Sequence, residues 1–296
     1  MSRLLVCMFA LWAAASGSAE SGFQFRQSGA SGLELTENGK PVFVYIHQPV
    51  LKTGTDEKYR RSSYIHPLYA PDGTIVTDDF PKDHPHHRGL CWAWPIVRFE
   101  GQTHDMWAVQ GMHQRFVRWL KRDAGKRSAR VAVENGWFAG DKKAVKETVE
   151  IEALPAAGNR RELRLTLTFG ATGEPVEIEG REVKGYGGLH IRFAPRENTV
   201  IYTDKGRLER DSDLTRHPWA ELEGTMDGKR AGVRIDVEPS NPGTPNGWCL
   251  RHYGYLGVGW PGLGSYTLRR GEPLTLKYRV TVFSKGPASE VSRAGR

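Results

Sequence analysis

Apolar and polar residues alternate with a period of two along much of this chain, and this pattern most constrains its fold. In residues 163–169, leucine or phenylalanine at each odd position is separated by arginine or threonine, and residues 274–282 repeat this type of alternation. Such alternation predicts strands with one buried face. Segments with a 3.6-residue period are scarce, and 34 glycines and 17 prolines punctuate the chain as turns do. The pattern predicts an all-β protein of roughly fifteen antiparallel strands, packed as a large two-sheet sandwich.

The ends of the chain differ in composition from its middle. Residues 1–19 combine a positive charge, the apolar stretch Leu4–Ala15 and small residues up to Ala19. This is the pattern of a signal peptide cleaved after Ala19, with an uncleaved anchor as the alternative. No internal repeat or Gly/Ser-rich linker divides residues 20–285, which are expected to form a single β-sandwich domain. Residues 286–296 are expected to form a polar C-terminal tail.

Charge and hydropathy exclude some partners. No segment after the signal is apolar enough to cross a bilayer, so we expect a secreted or periplasmic protein without membrane insertion. The 42 Lys and Arg residues outnumber 34 Asp and Glu residues, but they form no long block. A nucleic-acid partner is therefore not expected, and an anionic or a neutral substrate fits equally well. Cys91 and Cys249 could form a disulfide in an oxidising compartment or remain buried thiols.

Residues 83–89 read Asp-His-Pro-His-His-Arg-Gly and are the strongest candidate for a functional site. Unpaired imidazole and guanidinium groups are costly to bury, whereas imidazole binds metals and transfers protons near neutral pH. On an extended backbone, His84 and His86 point to one face and His87 to the other. The segment is therefore predicted to be a loop or strand entry that offers two imidazoles to one ligand, to bind a substrate or transfer a proton.

Two other interpretations of this segment remain open. One is a divalent metal held by His84 and His86, which would need a third ligand from elsewhere. The other is a structural loop in which Asp83 and Arg88 pair with each other. The candidates for the third metal ligand are Asp105, His104 and His190.

Two later segments also bring polar groups next to glycines or prolines. In residues 184–192, three glycines lie among Lys184 and Tyr186 and before His190 and Arg192, and glycine lets a backbone approach a ligand closely. In residues 239–252, a loop rich in proline and asparagine precedes Trp248, Arg251 and His252, and Tyr253 and Tyr255 follow with further ring faces. Because a cluster in one short loop cannot complete a site alone, we expect the three segments to converge on one cleft.

Tryptophan is frequent, and indole faces stack on the apolar faces of sugar rings while polar groups bind the hydroxyls. Trp92 and Trp94 follow the histidines on one face of a predicted strand and are the best candidates for stacking, although most tryptophans are expected to fill the core. There is no Gly-x-Ser-x-Gly elbow, no Walker loop, no Cys-x-x-Cys pair and no dinucleotide fingerprint. A serine nucleophile is therefore unsupported.

Four motifs in order resemble a secreted bacterial family, the PmoA-like proteins, often labelled "methane oxygenase PmoA". They are D-H-P-H-H-R-G-L from residue 83, K-G-Y-G-G-L from residue 184, P-S-N-P from residue 239 and R-H-Y-G-Y-L from residue 251. The resemblance implies a large β-sandwich similar to that of aldose mutarotases. A membrane monooxygenase subunit needs apolar spans that this chain lacks after residue 19, which argues against a literal use of the label.

Together these features predict a secreted carbohydrate-active enzyme that uses a histidine-rich cleft for proton transfer or metal binding on a sugar or another small polar substrate. The class of reaction, which could be isomerisation, lysis or hydrolysis, is open. The alternatives are a glycan-binding protein without catalysis and a soluble metal-dependent oxygenase, as the family label suggests. The expected catalytic residues are His84, His86, His87, Lys184 and His252. The expected substrate-binding residues are Arg88, Trp92, Trp94, Tyr186, His190 and Arg251.

Overall fold

The computed structural model describes residues 21–285, so the expected signal peptide and C-terminal tail lie outside the described residues. This part of the chain forms 22 strands and one 3-10 helix, Glu57–Tyr59, and contains no helix long and apolar enough to cross a bilayer. The strands are β1 (Phe23–Ser28), β2 (Gly32–Glu37), β3 (Lys40–Ile46), β4 (Tyr64–Leu68), β5 (Leu90–Ala93), β6 (Ile96–Phe99), β7 (Gln102–His104), β8 (Met112–Ala124), β9 (Ala129–Ala139), β10 (Lys142–Ala153), β11 (Arg160–Ala171), β12 (Val176–Glu179), β13 (Gly188–Arg192), β14 (Glu197–Thr203), β15 (Gly206–Leu208), β16 (Ser212–Arg216), β17 (Trp219–Met226), β18 (Lys229–Val237), β19 (Gly247–Arg251), β20 (Tyr255–Gly259), β21 (Ser265–Leu268) and β22 (Leu274–Lys285).

These strands form three antiparallel sheets. The first sheet has nine strands in the order β1-β2-β3-β4-β5-β13-β20-β19-β16. The second also has nine, in the order β15-β14-β17-β18-β22-β11-β10-β9-β8, and the third is the small sheet β21-β12-β6-β7. The predicted all-β antiparallel fold is confirmed. The third sheet and the larger number of strands were not expected, because strands as short as β7 and β15 are too short to show alternation.

Strands β11 and β22, at the centre of the second sheet, show how the alternation of the sequence places its side chains. Leu165 lies opposite Tyr278 and Leu167 opposite Leu276, and all four side chains are buried. The polar residues between them face the other side of the sheet. Each strand therefore buries one continuous apolar face, as its sequence requires.

The first two sheets pack face to face around one core. Trp94, which directly follows β5 of the first sheet, has its ring 5.4 Å from that of Trp137 in β9 and 5.2 Å from that of Phe169 in β11. Between the sheets, Asn135 Nδ2 donates a hydrogen bond of 2.9 Å to Tyr45 Oη. The buried apolar residues form one contiguous cluster that extends from Phe23 to Val282. These contacts make the two large sheets a sandwich.

Four neighbouring strands of the first sheet, β5, β13, β20 and β19, carry the segments that the sequence singled out. His190 in β13 lies opposite Cys91 in β5 and Gly257 in β20, and Gly257 lies opposite Cys249 in β19. Opposed residues share a face, and this face is the one turned away from Trp92 and the sandwich core. A site formed by these segments would therefore lie on the outer face of the first sheet.

Candidate functional site

A cavity of about 180 Å³ lies on this outer face, and we call it the histidine cavity. It brings together side chains from the three sequence segments that were expected to converge. Trp107, from the loop after β7, adds a fourth wall. The lining residues are His84, His86, His87, Trp107, Lys184, Tyr186, Cys249, Arg251, Tyr253 and Tyr255.

The three histidines form a packed group of rings. His84 stacks on His87, with centroids 4.6 Å apart and an interplanar angle of 10°, and its ring lies 5.3 Å from that of Tyr253 at 11°. His86 meets His87 edge-on at 4.6 Å. His84 Nδ1 lies 2.9 Å from a carboxylate oxygen of Asp83. In the neutral ring this contact places the hydrogen on Nδ1 and leaves Nε2 as the proton acceptor.

Burial holds the imidazoles of His86, His87 and His190 in their neutral form. The pKa of His86 is lowered to about 4 by burial, with further contributions from the positive charges of neighbouring groups such as His84 and Arg61. Burial lowers the pKa of His190, which lies directly beneath the cavity, to about 3. The pKa of His87 is lowered further, again mainly by burial. A neutral imidazole can accept a proton, whereas an imidazolium cannot.

Aromatic rings and two cations complete the wall. The ring of Trp107 lies 4.9 Å from that of Tyr186 and 4.1 Å from that of His190. Lys184 is exposed and makes no ion pair with any residue between 21 and 285. Arg251 is held by Asp213, whose carboxylate oxygen accepts a hydrogen bond of 2.5 Å from its guanidinium. The ten lining residues include no carboxylate.

Two fully buried polar atoms of the cavity lining have no hydrogen-bond partner among the described residues. They are Nδ1 of His87 and Oη of Tyr255, and their side chains are 4 % and 2 % exposed. An unpaired buried polar group costs about 1–3 kcal/mol. Such groups persist at sites where a ligand or ordered water completes their hydrogen bonding. The cavity therefore has the features of a site for a small polar ligand.

The structure does not bring Arg88 to the cavity, which corrects its expected role in substrate binding. Its side chain is fully buried and donates hydrogen bonds to the carbonyl oxygens of Pro85, His87 and Tyr59, at 2.6, 2.7 and 2.5 Å. Its ion-pair partner is Asp79, at 3.3 Å. The alternative pairing of Arg88 with Asp83 is therefore also wrong. Arg88 is a structural group that fixes the histidine loop.

Trp92 and Trp94 are also absent from the cavity. Both side chains are fully buried, and Trp94 Nε1 donates a hydrogen bond of 2.7 Å to the carbonyl oxygen of Trp260. All four residues of β5 are buried because sheets or loops cover both of its faces. The expectation that these two indoles stack on a sugar is wrong, since neither presents a free face. The aromatic side chains that line the cavity are instead the buried Trp107, the half-buried Tyr186 and the exposed Tyr253.

His252 and His190 lie near the cavity without lining it. Both ring nitrogens of His252 are engaged, Nδ1 with Asp211 at 2.8 Å and Nε2 with the carbonyl oxygen of Leu208 at 3.1 Å. This pairing corrects its expected catalytic role. His190 is 2 % exposed, and its Nδ1 lies 3.1 Å from the carbonyl oxygen of Gly188. It therefore supports Trp107 from below rather than contacting a ligand.

Neither the metal site nor the disulfide has the geometry it would require among residues 21–285. No group of three or more His, Cys, Asp or Glu side chains in this range is placed to hold a metal ion. Asp105, one candidate for the third ligand, pairs with Arg181 at 2.5 Å. Cys91 and Cys249 are both free and buried. Burial raises the pKa of the Cys249 thiol to about 12, so its sulfur is protonated near neutral pH.

Sequence reasoning did not place Trp107 or Cys249 in the site, and it named Tyr253 and Tyr255 as nearby ring faces without giving them a role. A signal was present for the two tyrosines, because Arg251, Tyr253 and Tyr255 follow one another at a spacing of two and Gly254 makes the turn between their strands. No local pattern identifies Trp107. It lies in an irregular loop, and only the packing of that loop on β13 brings it to the cavity.

The chain matches the model of a family described as a family of unknown function (DUF6807) over residues 32–294. The chain belongs to this family. No curated protein matches the sequence of this DUF6807 protein significantly.

Solved structures offer distant similarities of fold. One is a galactose mutarotase related enzyme from Lactobacillus acidophilus, with 10 % identity, a TM-score of 0.41, and coverage of 89 % of this chain and 98 % of that one. Another is the heparan sulfate lyase HepC from Pedobacter heparinus, with 10 % identity, a TM-score of 0.39, and coverage of 91 % and 36 %. A third is the GH36 α-galactosidase AgaA from Geobacillus stearothermophilus, with 12 % identity, a TM-score of 0.41, and coverage of 90 % and 41 %. The DUF6807 protein thus spans less than half of the lyase and of the galactosidase.

Proposed function

We propose that this protein is a carbohydrate-active enzyme that transfers a proton on a sugar substrate in the histidine cavity. The observation that carries the proposal is a packed group of three histidine rings, two of them with pKa values lowered by burial, inside a cavity walled by aromatic rings. The volume of about 180 Å³ is below the roughly 300–1,000 Å³ of sites for drug-sized ligands and suits a single sugar ring. The half-buried Tyr186, packed on the buried Trp107, forms the aromatic wall against which such a ligand lies.

His84 is the best placed general base. Its Nδ1 is oriented by Asp83, which leaves Nε2 to take the proton, and the ring is more exposed than that of His87. His86 is a neutral imidazole beside it. Its pKa of about 4 makes it a weak base, but an anionic group of a substrate would raise that pKa.

The charges of the lining residues indicate which kind of sugar chemistry is favoured. Lys184 supplies an unpaired cation for a carboxylate or a developing oxyanion. Glycoside hydrolases of the common type need two carboxylates that flank the bond, and no carboxylate lines this cavity. Isomerisation or elimination, in which a base removes a proton from carbon, therefore fits the lining better than hydrolysis.

The test is proton exchange followed by NMR in D₂O. The purified protein is incubated with neutral hexoses, hexuronates and their oligomers, and the loss of individual C–H signals is measured. We expect exchange or conversion of at least one sugar, and a His84→Gln variant should be slower by about 100-fold, since general bases typically contribute 10²–10⁴-fold.

The matched control is His113→Gln, because His113 lies outside the cavity. This variant should retain the rate of the unchanged protein, and both variants should melt within a few degrees of it. Binding of sugars without any exchange would contradict the proposal and favour a glycan-binding protein. If the His84→Gln variant exchanges protons at the unchanged rate, His84 is not the base.

A further inference from the structure

A second, larger cavity adjoins the histidine cavity. It has a volume of about 550 Å³, and we call it the arginine cavity after Arg192 and Arg196 in its wall. Tyr253 lines both cavities. Asp83 belongs to the wall of the arginine cavity and contacts His84, which lines the histidine cavity, at 2.9 Å. One pair of stacked rings, His84 and Tyr253, thus separates the two spaces.

The wall of the arginine cavity has more cations than carboxylates. Lys52 and Lys82 join the two arginines, against the carboxylates of Asp78 and Asp83. Asp83 is already engaged, because it accepts hydrogen bonds of 2.8 and 2.9 Å from Arg192 Nη2. Both lysines are exposed and make no ion pair within the described part of the chain. The cavity therefore has an unbalanced positive charge.

Arg192 shows that this charge belongs to a built site rather than to a solvated surface. Its side chain is more than nine-tenths buried, and its Nε and Nη1 have no hydrogen-bond partner among residues 21–285. Its guanidinium lies 4.8 Å from the centroid of the Tyr253 ring. The Nε of Arg196 also lacks a partner. Unpaired guanidinium donors are costly to bury, and an oxyanion is their best partner.

We propose that the arginine cavity is a second subsite that binds the oxyanion of a neighbouring sugar unit. The substrate is then an acidic oligosaccharide, with one unit in the histidine cavity and the next on the other side of Tyr253. This inference rests on the proposed function, which needs a sugar in the histidine cavity. The oxyanion is a carboxylate or a sulfate, since guanidinium and ammonium groups bind both.

Calorimetric titration at low salt tests this inference. The probes are galacturonate, tetragalacturonate, neutral maltotetraose and a sulfated chondroitin tetrasaccharide. We expect tetragalacturonate or the sulfated tetrasaccharide to bind more tightly than maltotetraose, and the tighter of the two identifies the oxyanion. Added salt should weaken the acidic ligands more than maltotetraose, because their binding depends on charge.

The variant is Lys52→Gln/Lys82→Gln, whose two side chains are exposed and unpaired and whose loss should leave the fold intact. It should lower the ratio of tetragalacturonate affinity to galacturonate affinity by about tenfold. The matched control is Lys126→Gln/Lys229→Gln, which removes two exposed lysines that line neither cavity. This control should leave the ratio unchanged.

Two outcomes would overturn the inference: equal affinities for neutral and acidic tetrasaccharides, or an affinity ratio that both double variants leave unchanged. The His84→Gln variant separates this failure from failure of the proposed function. If proton exchange depends on His84 but acidic tetrasaccharides bind no more tightly than neutral ones, only the second subsite is ruled out. Acidic tetrasaccharides that bind through the lysines without any exchange would remove the catalytic proposal and leave the arginine cavity as a binding site.

Discussion

Two buried polar groups on opposite sides of the first sheet differ in how their hydrogen bonds are completed. Inside the sandwich, the fully buried Glu147 accepts hydrogen bonds from Gln114 Nε2 at 2.9 Å, Asn135 Nδ2 at 2.8 Å and Trp137 Nε1 at 2.7 Å. On the outer face, His87 Nδ1 and Tyr255 Oη are equally hidden but have no partner among the described residues.

The difference separates a structural polar group from one that lines the candidate site. The carboxylate of Glu147 obtains its donors from the protein itself, so it stabilises one arrangement of the two sheets. His87 and Tyr255 lack such partners, and the fold tolerates their cost next to a cavity. Buried polarity alone therefore does not mark a site in this molecule. Our proposal rests on buried polar atoms without partners that also line a cavity.

Replacing Glu147 should give the largest effect. In Glu147→Leu the three donors lose their acceptor inside the core, and we expect a loss of about 3–5 kcal/mol in the free energy of unfolding. Urea denaturation measures it. Glu150→Leu, an exposed position on the same strand, is the control and should change stability by about 0.5 kcal/mol or less. Equal stability of both variants would show that the Glu147 group is not structural.

The second prediction concerns pH. Burial lowers the pKa of His190 from its ordinary value of 6.5 to about 3, so the folded protein favours the neutral ring and the unfolded chain takes up a proton. The stability that this neutral ring contributes is complete above about pH 6.5 and falls as the pH decreases below it, by up to about 1.4 kcal/mol per pH unit.

The measurement compares urea midpoints of the unchanged protein and of His190→Gln at pH 8, 6 and 5. The difference between the two proteins should shrink as the pH falls, because glutamine does not titrate. Other groups change stability with pH in the opposite direction, such as Asp79, whose pKa is raised to about 6 mainly by burial. Their contribution is the same in both proteins and cancels in the comparison. A difference that stays constant with pH would mean that His190 is not held neutral by the fold.

Tyr255→Phe should give the smallest change in stability. It removes a buried hydroxyl without a partner, so the free energy of unfolding should stay the same or rise by up to about 1 kcal/mol, while sugar binding weakens. Tyr45→Phe is the matched control on the Glu147 side. Its hydroxyl oxygen accepts a hydrogen bond from Asn135, so its loss should cost about 1 kcal/mol. Similar losses in both variants would remove the distinction between the two groups.

The fold was predictable where strands are long and only one face is buried. In β22 the apolar residues from Leu274 to Val282 alternate with polar ones, and the structure buries the apolar face. Alternation fails for β5, because both of its faces are covered and every residue is buried. The sequence therefore suggested that Trp92 and Trp94 have free indole faces. Only the packing of both sheets shows that these two side chains are fully buried.

The sequence predicted those residues of the candidate site that are polar and lie beside glycine or proline. His84, His86 and Lys184 come together because β5 and β13 are neighbours and the glycines before β13 let its entry pass close to the sheet. Arg88 was misjudged because a local sequence does not reveal whether a guanidinium points to a ligand or to backbone carbonyls. The role of His252 was hidden for a similar reason, since its partner Asp211 is 41 residues away.

The burial of Arg88 also has a consequence for how this protein can be re-engineered. The backbone of the histidine loop is anchored by one guanidinium that binds main-chain oxygens of residues 59, 85 and 87. Main-chain oxygens are present whatever the side chains are, so the anchor does not depend on the identity of residues 84 and 86. Libraries randomised at these two positions should keep the loop in place, which makes the cavity a scaffold on which new chemistry can be selected.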